Sequence, residues 1–322
     1  SFVLLAFSFV APATAAGQQL PELLGFSPEE AARQLDWERI MAAVPDAEIM
    51  RGYHYDLTRR PHHAGTEENY QLALYLRDLW DDFGFETEMV KYDILIPWPE
   101  SLELRLTAPE RIELAVTEPP MEEDPDTYIE GGLPGMAAYV TSGHAIGEVV
   151  YANYGRIGDY RHLDAMGVSL KGKIVLVRYG GSPAQMRGMK VREAAERGAV
   201  GVVIYSDPED DGYVKGDIYP DGRWRPWEGI QRGSFLDVPI YPGDPLTPFE
   251  PSIPGVERIS FEEAGNIQRI PVQPISYGEA LKILRHVGGD FVPPDWQGGL
   301  PLTYHIGPGP AEIEMDVQYD YQ

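Results

Sequence analysis

Apolar positions change their spacing several times along the chain, and each spacing predicts a different element. Leu72, Leu76, Leu79 and Phe83 recur at steps of three and four, so they share one face of a helix. Thr66 stands where an N-cap belongs, Glu67 and Glu68 where the helix dipole favours negative charge, and Gly84 where a helix stops. Residues 26–53 also show helical patterning, opened by Ser27, Pro28 and Glu30, the last at the capping-box position. Leu102, Leu104 and Leu106 alternate with polar neighbours, the mark of a half-buried strand. Strands are expected on either side of it, over "TEMVKYDILI" (87–96) and "RIELAVTE" (111–118).

The pattern changes over residues 147–206. "GEVVYANYG" reads as a strand, "DYRHLDAMG" as a short helix, "GKIVLVRYG" as a buried strand, "MKVREAAERGA" as a helix and "VGVVIYSD" as another buried strand. That order predicts a βαβ unit with parallel pairing, and hence a mixed α/β fold. Toward the end, Ser276 and Glu279 form a capping-box pattern ahead of Ala280, Leu284 and Val287. Ile313, Met315, Val317 and Tyr319 then alternate as a strand.

Composition narrows the class. A length of 322 residues suggests about two domains. The formal net charge of -25 repels phosphate backbones, which argues against nucleic acid as a partner. There is no cysteine, so a disulfide scaffold, a cysteine-ligated zinc finger and a cysteine nucleophile are excluded. The opening "SFVLLAFSFVAPATAAG" reads as the apolar core and cleavage site of an export signal, cut near Ala16. Residues 1–18 are therefore set aside as a signal remnant, and an exported, periplasmic or extracellular protein is expected.

Candidate chemistry is sparse. "PHHAGTEEN" offers metal-ligand types, but adjacent His62 and His63 point to opposite faces in an extended segment, and Glu67 and Glu68 are accounted for as first-turn helix residues. "HLD" at 162–164 lies on the short helix without partner acids at ligand spacing. Neither G-x-S-x-G nor a phosphate-binding loop occurs. Arg187, in "MRGMKV", precedes a glycine and a helix, where a guanidinium can clamp a carboxylate. On those grounds alone, pairing with one of the 51 acidic residues is the simpler account.

Taken in order, "PHHAGTEEN", "KGKIVLVRYG", "MRGMKV", "GVVIYSDP", "YPDGRWRPWEGIQRGS", "GDPLTP", "RIPVQPISYGEALKIL" and "YHIGPGP" resemble the glutamate carboxypeptidase II-like members of the M28 zinc peptidases, a group that includes the catalytically inactive transferrin receptor. The resemblance implies that residues 19–97 are an N-terminal segment and the first part of a peptidase domain. It implies that 98–311 form an inserted PA (protease-associated) or apical domain, and that 312–322 begin the return to the peptidase domain. It implies two zinc ions whose ligands lie outside this chain, so no catalytic residue is assigned within it and the chain alone is expected to be inactive. Arg187 matches an Arg, and Ser234 an Asn, that contact the free carboxylate of a C-terminal glutamate. Thr247 and Glu250 match positions whose carbonyls help bind a structural calcium. The implied partner is a peptide with a free C-terminal carboxylate, and the complete protein is expected to form a homodimer. The alternatives are a stand-alone, non-catalytic PA-domain binding protein and an inactive relative of the transferrin receptor kind.

Overall fold

The structure is a computed structural model that describes residues 23–181 and 186–321. The expected export signal lies outside the described residues. By compactness the chain divides into residues 1–59 and 60–322.

Within the first unit the expected helical stretch is two helices, α1 (Pro28–Ala42) and α2 (Ala47–Thr58). The capping box forms as expected: Glu30 N–H donates to Ser27 Oγ at 3.3 Å, and Ser27 N–H donates to the Glu30 carboxylate at 3.2 Å. The break follows from "PD". Pro45 has no N–H to continue a helix, and the Asp46 carboxylate accepts the N–H groups of Glu48 and Ile49 at 2.9 Å each.

The second unit opens with α3 (Glu67–Asp82), capped by Thr66, whose Oγ1 accepts the Asn69 N–H at 3.3 Å. Then come β1 (Pro97–Ala108), β2 (Ile112–Glu113), β3 (Ala137–Ala138), β4 (Gly143–Tyr151), α4 (Ile157–Ala165), β5 (Ile174–Arg178), α5 (Arg187–Glu196) and β6 (Gly201–Tyr205). They are followed by α6 (Pro208–Asp211), β7 (Gly233–Ser234), β8 (Val272–Ile275), α7 (Tyr277–Leu284) and β9 (Glu312–Tyr321). Seven strands make one sheet in the order β2-β1-β9-β4-β5-β6-β8, and β3 pairs with β7 separately.

The expected βαβ unit is present: β4, β5, β6 and β8 are parallel neighbours. All residues of β5, β6 and β8 are buried, which is why β5 up to Arg178, and β6, read as apolar runs rather than alternations. Strand β4 joins two regimes. Its residues 143–148 run antiparallel to β9, and Val149–Tyr151 run parallel to β5. The other side of β9 pairs antiparallel with β1 from Pro97↔Tyr321 to Ala108↔Glu312, and Ile313, Met315 and Val317 point into the core as their alternation predicts.

Three local expectations fail. Residues 87–96 form no strand, because their backbone groups find partners in a loop. Asp93 N–H donates to Ser252 O at 2.8 Å and Leu95 N–H donates to Asp244 Oδ2 at 2.5 Å. The strand expected over 111–118 shrinks to Ile112–Glu113. At α7, Ser276 caps the Glu279 N–H at 3.2 Å, but the Glu279 carboxylate turns to Lys282 (2.7 and 2.9 Å) instead of completing a box.

Candidate functional site

A cavity of about 390 Å³ opens beside the N-terminus of α5, and it brings together Arg187 and Ser234. Arg187 is the first residue of α5, whose N-cap residue Met186 supplies no side-chain cap. Two glycines make the position feasible. A Cβ at Gly188 would lie 2.5 Å from Leu236 O and 2.6 Å from Phe235 O, so only glycine lets α5 sit this close to that segment. A Cβ at Gly233 would run into the Arg187 guanidinium itself.

Ser234 is held from the far end of the chain. It lies on β7, in register with Ala138 of β3, and the Phe235 N–H donates to Ala138 O at 2.9 Å. β3 is tied to β9, where the Tyr319 hydroxyl accepts the Ala137 N–H at 2.9 Å and the Tyr321 hydroxyl accepts the Val140 N–H at 3.0 Å. Ser234 Oγ accepts the Leu236 N–H at 3.2 Å, which leaves its own proton free to donate.

Three further residues of the lining had not been singled out from sequence. Tyr179, just past β5, presents its ring to Arg187, whose guanidinium carbon is 5.3 Å from the centroid. Burial pushes the Tyr179 phenol up, and Arg187 opposes this only in part, so it stays protonated and donates to Gln231 O at 2.8 Å. Gln231 accepts from Ser206 Oγ at 3.0 Å through its side-chain oxygen. Lys190 is 1% exposed. Its ammonium donates to Tyr154 O (2.6 Å), Gly180 O (2.9 Å) and Arg178 O (3.1 Å), and burial pulls its pKa down to about 8. A signal for Lys190 did exist: it precedes Val191 and Ala194 on the buried face of α5, where an unpaired lysine would be costly. Tyr179 and Gln231 carried none.

Behind the cavity, Arg178 is buried with its guanidinium carbon 4.1 Å from the Tyr154 ring centroid and 4.0 Å ion-pair distances to Asp207 and Asp210. Arg187, by contrast, forms no ion pair among the described residues. The expectation that it pairs with one of the many acidic residues is not met. Its guanidinium lines the cavity beside Ser234.

The other candidates separate from this place. His62 Nδ1 contacts Arg60 O at 2.8 Å, and the His63 ring lies 5.6 Å from that of Trp98, so the pair is built into a loop. His162 packs against Trp296, and Asp164 pairs with Arg197 at 3.1 Å. Thr247 and Glu250 share one turn, in which the Thr247 carbonyl accepts the Glu250 N–H at 3.2 Å. Thr247 is buried with its hydroxyl unpartnered among the described residues, and Glu250 is exposed. Among the described residues no three His, Cys, Asp or Glu side chains gather where a metal could sit. The described residues therefore do not assemble a zinc centre.

This geometry coincides with a known domain. The PA domain matches residues 145–237, a span that contains Arg187 and Ser234. The chain is 36% identical over 279 residues to a glutamate carboxypeptidase 2 homolog of Caenorhabditis briggsae, covering 82% of this chain and 35% of that protein. It is 36% identical over 292 residues to a probable glutamate carboxypeptidase of Arthroderma benhamiae (87% and 39%), and 33% identical over 274 residues to aminopeptidase NAALADL1 of Rattus norvegicus (82% and 36%). An aminopeptidase from Aneurinibacillus sp. strain AM-1 matches with a TM-score of 0.35 and 17% identity, covering 86% of this chain and 45% of that one. The protein is thus a mixed α/β, PA-domain chain. It belongs to the M28 peptidase family, among its glutamate carboxypeptidase-like members. It spans between 35% and 39% of the length of these relatives.

Proposed function

We propose that this chain forms the carboxylate-holding wall of the substrate site in an exported, glutamate carboxypeptidase-like zinc exopeptidase. The PA domain, residues 98–311 in this reading, acts as a lid over the C-terminal end of a peptide. Arg187 takes the free carboxylate in a bidentate grip, and Ser234 donates a further hydrogen bond. In the complete protein two zinc ions, held by ligands outside these 322 residues, supply the hydrolytic chemistry. The residues described here bind and orient the substrate, and the chain alone is inactive. Calcium at the Thr247–Glu250 turn and homodimerisation belong to the complete protein.

The observation that carries this reading is that Arg187 and Ser234, from separate elements, line one cavity while Arg187 lacks an acidic partner among the described residues. The antiparallel pairing of β1 with β9 supports an inserted domain whose entry and exit strands are neighbours. An apolar cleft of about 600 Å³ by Leu76, Trp80 and Met89 is surface that further peptidase-domain chain would cover, which weighs against a stand-alone binding module.

The test is calorimetric titration of the chain with an N-acetylated dipeptide and its C-terminal amide. The free acid should bind, whereas the amide and the Arg187→Ala variant should not. Equal binding of acid and amide would overturn the reading. Chelator-sensitive hydrolysis by the purified chain would overturn the claim of inactivity.

A further inference from the structure

We propose that residues 137–140 form a strained latch through which strands β1 and β9 set the position of β7. This goes beyond the reading above and holds whatever the cavity binds. The centre of the latch is Tyr139, whose φ of 65° lies in the left-handed region, where an aromatic residue is strained. Such a conformation persists only where its neighbours impose it. Here they do so from both sides. The Ala137 N–H is held by the Tyr319 hydroxyl and the Val140 N–H by the Tyr321 hydroxyl. The Tyr321 hydroxyl also donates to Val140 O at 2.6 Å, and Ser142 Oγ accepts the Tyr319 N–H at 2.9 Å. The Tyr139 side chain is tied as well: its hydroxyl donates to Leu95 O at 3.0 Å, just ahead of β1.

The strained residue connects directly to β7. Ala138, its predecessor, pairs with Ser234 and accepts the Phe235 N–H. Tyr139 O accepts the Gln268 N–H at 3.2 Å, and Gln268 Nε2 donates to Phe235 O at 2.9 Å, which closes the ring of contacts around β7. Strands β1 and β9 pair with each other, so a shift of either reaches residues 137–140 through Leu95, Tyr319 and Tyr321 together. When the two β9 hydroxyls let go, Tyr139 relaxes toward negative φ. That rotation turns the chain on either side of it and carries Ala138, and with Ala138 the β7 strand.

The experiment is amide hydrogen exchange, followed by NMR on the 322-residue chain. The double variant Tyr319→Phe, Tyr321→Phe removes both hydroxyls and keeps both rings, including the packing of Tyr321 on Phe261 at 4.8 Å. Exchange of the Phe235 amide should rise about tenfold, with the β5 and β6 amides unchanged. An unchanged Phe235 amide, or an equal rise throughout β5 and β6, overturns the inference. The strain itself is tested by Tyr139→Gly against Tyr139→Ala, which lose the same ring. Glycine adopts a positive φ freely, so the glycine variant should melt higher, with a folding equilibrium about fivefold more favourable, the reverse of the ordinary order. In the Tyr139→Gly background the two Phe substitutions should leave Phe235 exchange within about twofold, whereas the rise should persist in Tyr139→Ala. A higher-melting alanine variant, or the full rise in the glycine background, overturns the inference. The carboxylate reading is decided separately, by the dipeptide titration.

Discussion

The guanidinium of Arg187 lies over the ring of Tyr179 at 5.3 Å, with the cavity on its free side. The ring orients the fork without neutralising it, because the Tyr179 phenol is protonated and its hydrogen is committed to Gln231. A planar cation held this way differs from a mere positive charge at the same place. Arg187→Lys should therefore lose both the stacking and the second hydrogen bond. Free-acid dipeptide binding should weaken by about 1–2 kcal/mol with the melting temperature nearly unchanged. Paired calorimetric and thermal measurements check both halves.

Gly188 is required by packing, not by backbone angle. Gly188→Ala puts a methyl group against the carbonyls of Phe235 and Leu236 and should cost about 2–4 kcal/mol, read as a fall in the urea midpoint. Gly158 on α4 is the control. A Cβ there meets nothing within 4 Å, so Gly158→Ala should be neutral or stabilise by up to about 1 kcal/mol.

Asp207 is buried and accepts four hydrogen bonds: from Tyr304 Oη (2.7 Å), Gly299 N (2.7 Å), Glu209 N (2.9 Å) and Tyr205 Oη (3.0 Å). It is also the nearest wholly buried anion to Arg178, at 4.0 Å. Asp207→Ala would orphan those donors and leave a buried guanidinium poorly compensated. A loss of about 3–5 kcal/mol is expected from denaturant unfolding.

Lys190 gives the protein a pH signature. Its folded-state pKa of about 8 lies below the ordinary 10.5, so between these values the unfolded chain holds a proton that the folded chain has released. Stability from this group therefore rises with pH across that window. The buried phenols of Tyr151, Tyr160 and Tyr205 are pushed above 10 by burial. Their contribution is present below pH 10 and is lost as pH rises further. Urea midpoints should climb from pH 8 and turn down above about pH 10. Lys190→Met should remove the climb and leave the downturn.

Sequence spacing revealed the elements whose stability is local or whose burial is complete. The Ser27 and Thr66 caps, the α3 stripe and the parallel β5 and β6 runs all fell where the residues indicated. It failed where backbone partners came from far away. Residues 87–96 carry strand-like residues, yet their hydrogen bonds go to Ser252 and Asp244. The site was half legible. Arg187 stood out beside a glycine and a helix, but its role, and Ser234 altogether, came only through resemblance to a family, because nothing in local spacing says that α5 and β7 face one cavity. That meeting depends on tyrosines of β9, more than 80 residues downstream of Ser234, reaching back to β3.

The pairing of Pro97 with Tyr321 has a mechanical consequence. A stretch of more than 220 residues begins and ends at two points that face each other across one strand spacing, about 5 Å. A force applied to those two points acts across the β1–β9 ladder at its end, so the strands peel apart rung by rung instead of shearing all at once. The two ends also fit the gap of an ordinary two-strand turn. The whole body could thus be spliced into a surface hairpin of an unrelated protein, like a handle bolted on at one bracket, with little strain on either partner.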